Sequence, residues 1–300
     1  MNAYLRGVSY LLGEQEVGYA DIAGLSELAA AFRLVPDPGL WGWGTVRTTR
    51  RDVADLAADT GRAVLAAAGA DRADALVLCS TQTPADQGRF VAAVLARAGL
   101  GDIPFYGQGL NQCVNLLAGL DIARSFVLSD RYRTVLVITA DAVAGGDPMS
   151  QFALFSDGAA GCLVAADPGQ EAAGCYEMLG CAAAQDVAAL DGTAQISSDL
   201  ARQVNDRLLA PIGLKLGHVT ALAHLNLFKP LLVMKERQAG FREDQLYLDN
   251  IGRIGHCYSA DPLINLADLV ALGHIGEDHY CLLAASVPGS RIGVLLKKVR

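Results

Sequence analysis

The stretch that most constrains the fold runs from Gly107 to Leu120 and reads Gly-Gln-Gly-Leu-Asn-Gln-Cys-Val-Asn-Leu-Leu-Ala-Gly-Leu. A loop with two glycines leads into a helix that is apolar nearly all round. Such a helix belongs inside a protein and not on its surface. The chain has 300 residues in which to bury it. Area scaling gives about 12,000 Å² of folded surface against about 45,000 Å² for the extended chain, so nearly three-quarters is expected to be buried. Hydrophobic residues make up 52% of the chain and charged residues 19%, which excludes a disordered or fibrous protein.

Around this helix the apolar runs are short. Ala75–Cys79, Thr134–Thr139, Gly161–Ala165, His279–Ala284 and Ile292–Leu296 read as buried strands. Asp52–Ala68, Phe90–Ala98, Gln112–Leu128, Ile196–Leu209 and His224–Gln238 read as helices. Strands apolar on both faces, alternating with helices, predict α/β layering. Asp167–Glu171 (Asp-Pro-Gly-Gln-Glu) punctuates the chain just past its midpoint and divides it into halves at 1–167 and 168–300.

The net charge of −8, with no basic stripe, argues against a nucleic-acid partner. No apolar run approaches the roughly 18 residues of a membrane span, and the N-terminus lacks a secretory pattern, so a cytoplasmic protein is expected. Seven scattered cysteines with no CxxC pair give no spacing support to a metal site or a disulfide framework. Most should be small buried hydrophobes.

Cys113 differs, because it falls at the first turn of the buried helix with Asn111 available as a cap. Unpaired amides and the positive end of the helix dipole favour a thiolate there, although an inert buried cysteine is the alternative. Asp157-Gly158, followed by small residues, reads as a tight turn. His224 and Asn226 stand at the start of an expected helix. Gly255–Pro262 packs His256, Tyr258, Ser259 and Asp261 into one loop. His218, His274 and His279 read as surface or turn residues.

These segments, in this order, resemble the β-ketoacyl-acyl-carrier-protein synthase III family of the thiolase-like superfamily. The resemblance takes in Asp52–Ala68, Leu76–Pro84, the cysteine helix, Thr134–Asp141, Leu154–Gly161, the His224 segment and Val287–Gly293. It implies a thiolase-like α/β fold of two similar βαβ-rich halves in α-β-α-β-α layers. It implies Cys113 as the acyl-accepting nucleophile and His224 as the catalytic histidine. The amide of Gly289 would share an oxyanion hole with that of Cys113, a contribution worth about 3 kcal/mol per donor. Arg47 and Trp41 match the region that meets the nucleotide of coenzyme A. Lys229, with Lys235 and Arg237, would offer a basic face to an acidic carrier protein. A homodimer joined through a continuous sheet is implied. No cofactor is permanently bound, the acyl-CoA or acyl-phosphopantetheine carrier being a substrate.

The sequence also departs from the family. Asn226 comes one residue early for the family's His-x-x-Asn. The Gly-Asn that supplies a catalytic asparagine is Gly255-His256 here, with Asp261 five residues on. An aspartate orients a histidine and favours deprotonating an alcohol or amine, and either His224 or His256 could be its partner. The segment between Cys113 and His224 is short for the family, which predicts a reduced tunnel. The leading expectation is an acyltransferase of specialised metabolism that makes an ester or amide with a small-molecule acceptor. A decarboxylating ketosynthase and a non-catalytic partner subunit are the alternatives.

Overall fold

The computed structural model describes residues 2–82, 84–143, 146–169, 174–192 and 195–299. In chain order the strands are β1 (Tyr4–Leu12), β2 (Gln15–Gly18), β3 (Thr45–Thr48), β4 (Ala75–Cys79), β5 (Phe105–Gln108), β6 (Thr134–Asp141), β7 (Gly158–Ala165), β8 (Tyr176–Gln185), β9 (Val219–Ala223), β10 (Tyr280–Val287) and β11 (Ser290–Lys298). The helices are α1 (Leu25–Ala31), α2 (Pro38–Trp41), α3 (Val53–Ala67), α4 (Gln87–Arg97), α5 (Asn115–Leu128), α6 (Ser198–Leu209), α7 (Lys229–Gln238), α8 (Asp249–Arg253) and α9 (Asp261–Ala271). Of the expected divider Asp167–Glu171, Gln170 and Glu171 lie outside the described residues, as does Thr83 of Leu76–Pro84.

Nine strands form one sheet in the order β5-β4-β6-β7-β1-β8-β11-β10-β9, while β2 and β3 pair apart from it. The two halves of the sheet are joined where Tyr4 and Leu5 pair with Glu177 and Tyr176, and where Met178 N donates to the Ala3 carbonyl at 2.9 Å. β4 and β6 run parallel, with β7 antiparallel to β6. The pattern recurs as β9 and β10 parallel, with β11 antiparallel to β10. Helices α5 and α9 pack against strands of both halves, α3 covers the first half and α6 the second. The result is five layers, α-β-α-β-α, with a thiolase-like arrangement.

Each strand's alternation explains why it is apolar on both faces. In β4, Val77 and Cys79 join the central core with α5, whereas Leu76 and Leu78 join the outer core under α3. In β10, Cys281 and Leu283 face the central core and Leu282 and Ala284 the core under α6. The all-round apolar helix is α5, with Leu116, Leu117 and Leu120 fully buried. Gly119 lets it sit tightly on β4, since a Cβ there would lie 2.6 Å from Cys79 Sγ.

Three local expectations are corrected. His224–Phe228 is neither helix nor strand, with Leu227 N turned back onto the Leu225 carbonyl, and α7 begins only at Lys229, with Pro230 in its first turn. Asp157-Gly158 is not a turn; Gly158 opens β7 and pairs with Leu12. Asn111 makes no side-chain cap, and Cys113 lies on a 3-10 turn, Gln112–Val114, that precedes α5.

Candidate active site

Cys113 reaches the central cavity because the chain reverses just before it. Gln112 has φ +51°, a conformation that costs a non-glycine residue about 1–3 kcal/mol and needs outside support. Part of that support is local. The Thr81 hydroxyl donates to the Gln112 carbonyl at 3.3 Å. Asn115, fully buried, accepts from the Asn111 amide at 2.9 Å and donates to the Ser80 carbonyl at 3.0 Å. In the sequence Asn115 is marked only by being a polar residue in an otherwise apolar helix.

The cavity has a volume of about 220 Å³, and Cys113, His256, Phe152, Leu225 and Ser286 line it, with Val287 and Pro288 from the β10–β11 turn. The extended segment of His256 is held by a bridge to the strand start. His256 donates its amide to Leu154 O at 2.8 Å and accepts from Ser156 N at 2.9 Å. The Phe155 ring stands 5.5 Å from the imidazole and stacks on Tyr258 at 4.8 Å.

The open choice of partner for Asp261 resolves to His256. Its Nδ1 meets Asp261 Oδ2 in a short hydrogen bond. Asp261, fully buried in the first turn of α9, also accepts from Cys257 N at 2.8 Å and Asn226 N at 2.7 Å. Asn226 Nδ2 adds a contact at 3.2 Å. Burial disfavours charge on His256, but Asp261 and then Cys113 outweigh it and push the imidazole up to about 10. With Nδ1–H given to the carboxylate, the other ring nitrogen is the one available to the Cys113 sulfur.

His224 is held differently. It is buried and is not among the cavity-lining residues. Its Nδ1 lies 3.2 Å from the Leu225 carbonyl, so Nδ1 carries the hydrogen and Nε2 is left as a lone pair. That lone pair accepts from Arg291 Nη1 at 2.9 Å. Arg291, fully buried on β11, donates at 2.5 Å to Glu236 of α7. Burial, with help from Arg291 and against the pull of Glu236, lowers His224 to about 4. The approach of His224 Nε2 to Glu236 at 3.4 Å is therefore not an ion pair. Burial opposes charge on Glu236 too, yet the neighbouring Arg291 outweighs it and holds the carboxyl below the usual carboxylate range.

Gly289 sits in the β10–β11 turn after Pro288, with φ +73°, as a turn with proline then glycine requires. A Cβ there would fall 2.7 Å from the Ala189 backbone. Trp41, at the end of α2, donates its indole N–H to Val35 O at 2.6 Å and packs on Phe228. Arg47 pairs with Glu16 across the antiparallel β2–β3 pair.

Lys229, Lys235 and Arg237 all lie on α7. Arg237 is paired with Glu243 at 3.5 Å. Lys229 shares a surface cleft with Glu243, Asp244 and Asp249, so the local field is mixed. Of the other cysteines, burial pushes the thiols of Cys79, Cys162 and Cys257 up. Among the described residues no group of three His, Cys, Asp or Glu could hold a metal ion.

A family model for 3-oxoacyl-[acyl-carrier-protein] synthase III matches residues 110–179, the segment that carries Cys113. No curated protein matches the chain in sequence. Among solved structures, ChlB3, described as an acyltransferase, is 15% identical with a TM-score of 0.84, over 100% of this chain and 98% of that one. The synthase III FabH of Pseudomonas aeruginosa PAO1 is 19% identical with a TM-score of 0.79, over 100% and 99%. OleA of Xanthomonas campestris, with acetamide bound, is 14% identical with a TM-score of 0.81, over 99% of each chain. At these identities the likeness is one of fold.

Proposed function

We propose that this synthase III-like chain of the thiolase-like fold is a cysteine acyltransferase, passing an acyl group from a carrier-protein or coenzyme A thioester to an alcohol or amine in specialised metabolism. The observation that carries the reading is the His256–Asp261 pair, on the same cavity as Cys113. Such a set suits a nucleophile whose proton must be held and returned.

In the first half-reaction the Cys113 sulfur attacks the thioester carbonyl while its proton is held at His256. The tetrahedral intermediate expels the carrier sulfur, which takes that proton, and the acyl group stays on Cys113. In the second, His256 accepts the proton of the acceptor O–H or N–H as its heteroatom attacks the acyl carbon. The bond to Cys113 breaks and the proton passes to the released sulfur. Asp261 keeps Nδ1–H directed throughout and stabilises the imidazolium. In this reading the amides of Cys113 and Gly289 receive the oxyanion.

Decarboxylative condensation fits less well. Its enolate needs hydrogen-bond donors, and His224 presents an already occupied lone pair at Nε2, while His256 stands where the resemblance would have asparagine. The small cavity, below the roughly 300–1,000 Å³ of pockets for drug-sized ligands, favours a short acyl chain. In this reading Trp41 and Arg47 lie where the coenzyme A nucleotide would dock, and Lys229, Lys235 and Arg237 of α7 are the cations offered to an acidic carrier. The homodimer and a cytoplasmic location belong to the same proposal. In its favour, β5 is an edge strand with Phe105 and Leu110 exposed beside it. No described helix is long and apolar enough to cross a membrane.

Intact-mass analysis with acyl thioesters tests this. One acyl adduct on the wild-type chain, absent from Cys113→Ala and discharged by an alcohol or amine without carbon dioxide release, is the expected result. Carbon dioxide release from a malonyl thioester, coupled to a β-keto product, would instead establish condensation.

A further inference from the structure

Behind the cavity wall lies a buried polar cluster that the proton transfers above leave unused. Arg291 Nη1 lies 2.5 Å from Glu236, 2.8 Å from Ser286 Oγ and 2.9 Å from His224 Nε2, so its two hydrogens are shared among three acceptors. Of these groups only Ser286 also lines the cavity with Cys113 and His256. Ser286 as a whole is 2% exposed, so its hydroxyl hydrogen has few places to go.

The nearest acceptor for that hydrogen is His224 Nε2 at 3.4 Å. This is long for a hydroxyl donor, and the single lone pair there is shared with an N–H of Arg291. Meanwhile the Ser286 oxygen accepts from a guanidinium, which polarises the O–H and makes it a better donor. A buried donor whose one partner within reach is distant is poorly satisfied. A ligand oxygen in the cavity would complete it.

We propose that Ser286 donates its hydroxyl hydrogen to the carbonyl oxygen of the acyl thioester, and that the Arg291–Glu236 pair is the positioning device that holds the hydroxyl for this. The inference rests on the acyltransferase reading and adds a side-chain donor to it. Nothing is transferred in this contact; the hydrogen stays on Ser286 while negative charge grows on the carbonyl oxygen. Arg291, Glu236 and His224 touch no substrate and act through Ser286.

The test compares wild type, Ser286→Ala and Ser286→Thr, using acetyl to hexanoyl N-acetylcysteamine thioesters carrying a ¹³C carbonyl. Loading of Cys113 is followed by intact mass, and the carbonyl stretch of the acyl-enzyme by isotope-edited infrared spectroscopy. Ser286→Ala should load about 10- to 100-fold more slowly, the effect of one lost donor in a desolvated site. Its carbonyl stretch should move to higher frequency, and Ser286→Thr should restore both. A structural role alone would leave the stretch unmoved. Wild-type loading with an unchanged rate and stretch in Ser286→Ala overturns the inference and leaves the acyltransferase reading standing. Failure of wild-type Cys113 to load from any thioester overturns both.

Discussion

His256 and Asp261 face each other across a five-residue reversal that ends in the first turn of α9, with Nδ1 against Oδ2. The carboxylate is held from two other sides by the amides of Cys257 and Asn226. Asp261→Asn would keep the volume but only one of the two amide contacts, since each carboxylate oxygen accepts one of them and an amide nitrogen accepts none, and it would no longer require Nδ1–H or stabilise an imidazolium. Acyl transfer in single-turnover assays should fall about 100- to 10,000-fold, with the fold intact by circular dichroism. A loss under tenfold would remove Asp261 from the proton-handling set.

The imidazole of His256 should stay protonated far above the ordinary histidine range, since Asp261 and Cys113 together outweigh burial and raise it to about 10. The folded value exceeds the unfolded one, near 6.5, so the pair contributes stability that is fully present below pH 6.5 and lost as pH rises toward 10. Acylation of Cys113 removes the sulfur's share of the attraction, so the ring should release its proton at a lower pH in the acyl-enzyme. That change suits a base needed in the second half-reaction. A ¹⁵N titration of the ring, assigned with His256→Gln and repeated in Cys113→Ala, reads both effects. An unshifted value in the free protein would contradict the site's electrostatics.

How far the sequence carried the fold follows from where the constraints lie. α5 was legible because its apolar residues are local and encircle the helix, and β4 because five consecutive residues are buried on both faces. β8 was missed because Leu179–Ala184 is rich in glycine, cysteine and alanine and lacks β-branched residues. β5 was missed because its four residues at a sheet edge have an irregular pattern. The letters of His256 and Asp261 were visible, but their pairing depends on how the chain turns into α9. Arg291 was invisible as a site residue. It stands inside an apolar strand 67 positions from His224, and only the fold joins them to Glu236.

Two buried groups should oppose each other on acidification. His224 titrates near 4 because burial and Arg291 disfavour its charge, against about 6.5 unfolded. Stability is therefore lost as pH falls from 6.5 to 4, by about 3 kcal/mol. Asp141 is raised to about 6 by burial, against hydrogen bonds from Gln82, Thr81 and Ser80. With an unfolded value near 3.9, it supplies stability as pH falls through 6, again about 3 kcal/mol. Wild type should change little from these two over that window. Relative to it, Asp141→Asn should lose stability between pH 6.5 and 4, and His224→Gln should gain. Urea unfolding at pH 4, 5 and 7 measures both, and parallel curves for all three proteins would refute the assignment.

Gly161 marks where the first half-sheet is pressed closest to itself. It pairs with Ile138 on one side and Ser9 on the other. A Cβ there would lie 2.7 Å from the Val137 carbonyl and 3.2 Å from Val64 of α3. Alanine is the better strand former, but the nearest atom is backbone in the middle of a sheet and cannot swing aside. Gly161→Ala should therefore destabilise the protein by about 1–3 kcal/mol, seen as a lower urea midpoint with an unchanged slope. Gly217, where an added Cβ would meet nothing within 4 Å, is the control, and Gly217→Ala should stay within about 0.5 kcal/mol of wild type. Equal effects at the two positions would mean that the β6–β7 contact is looser than its geometry implies.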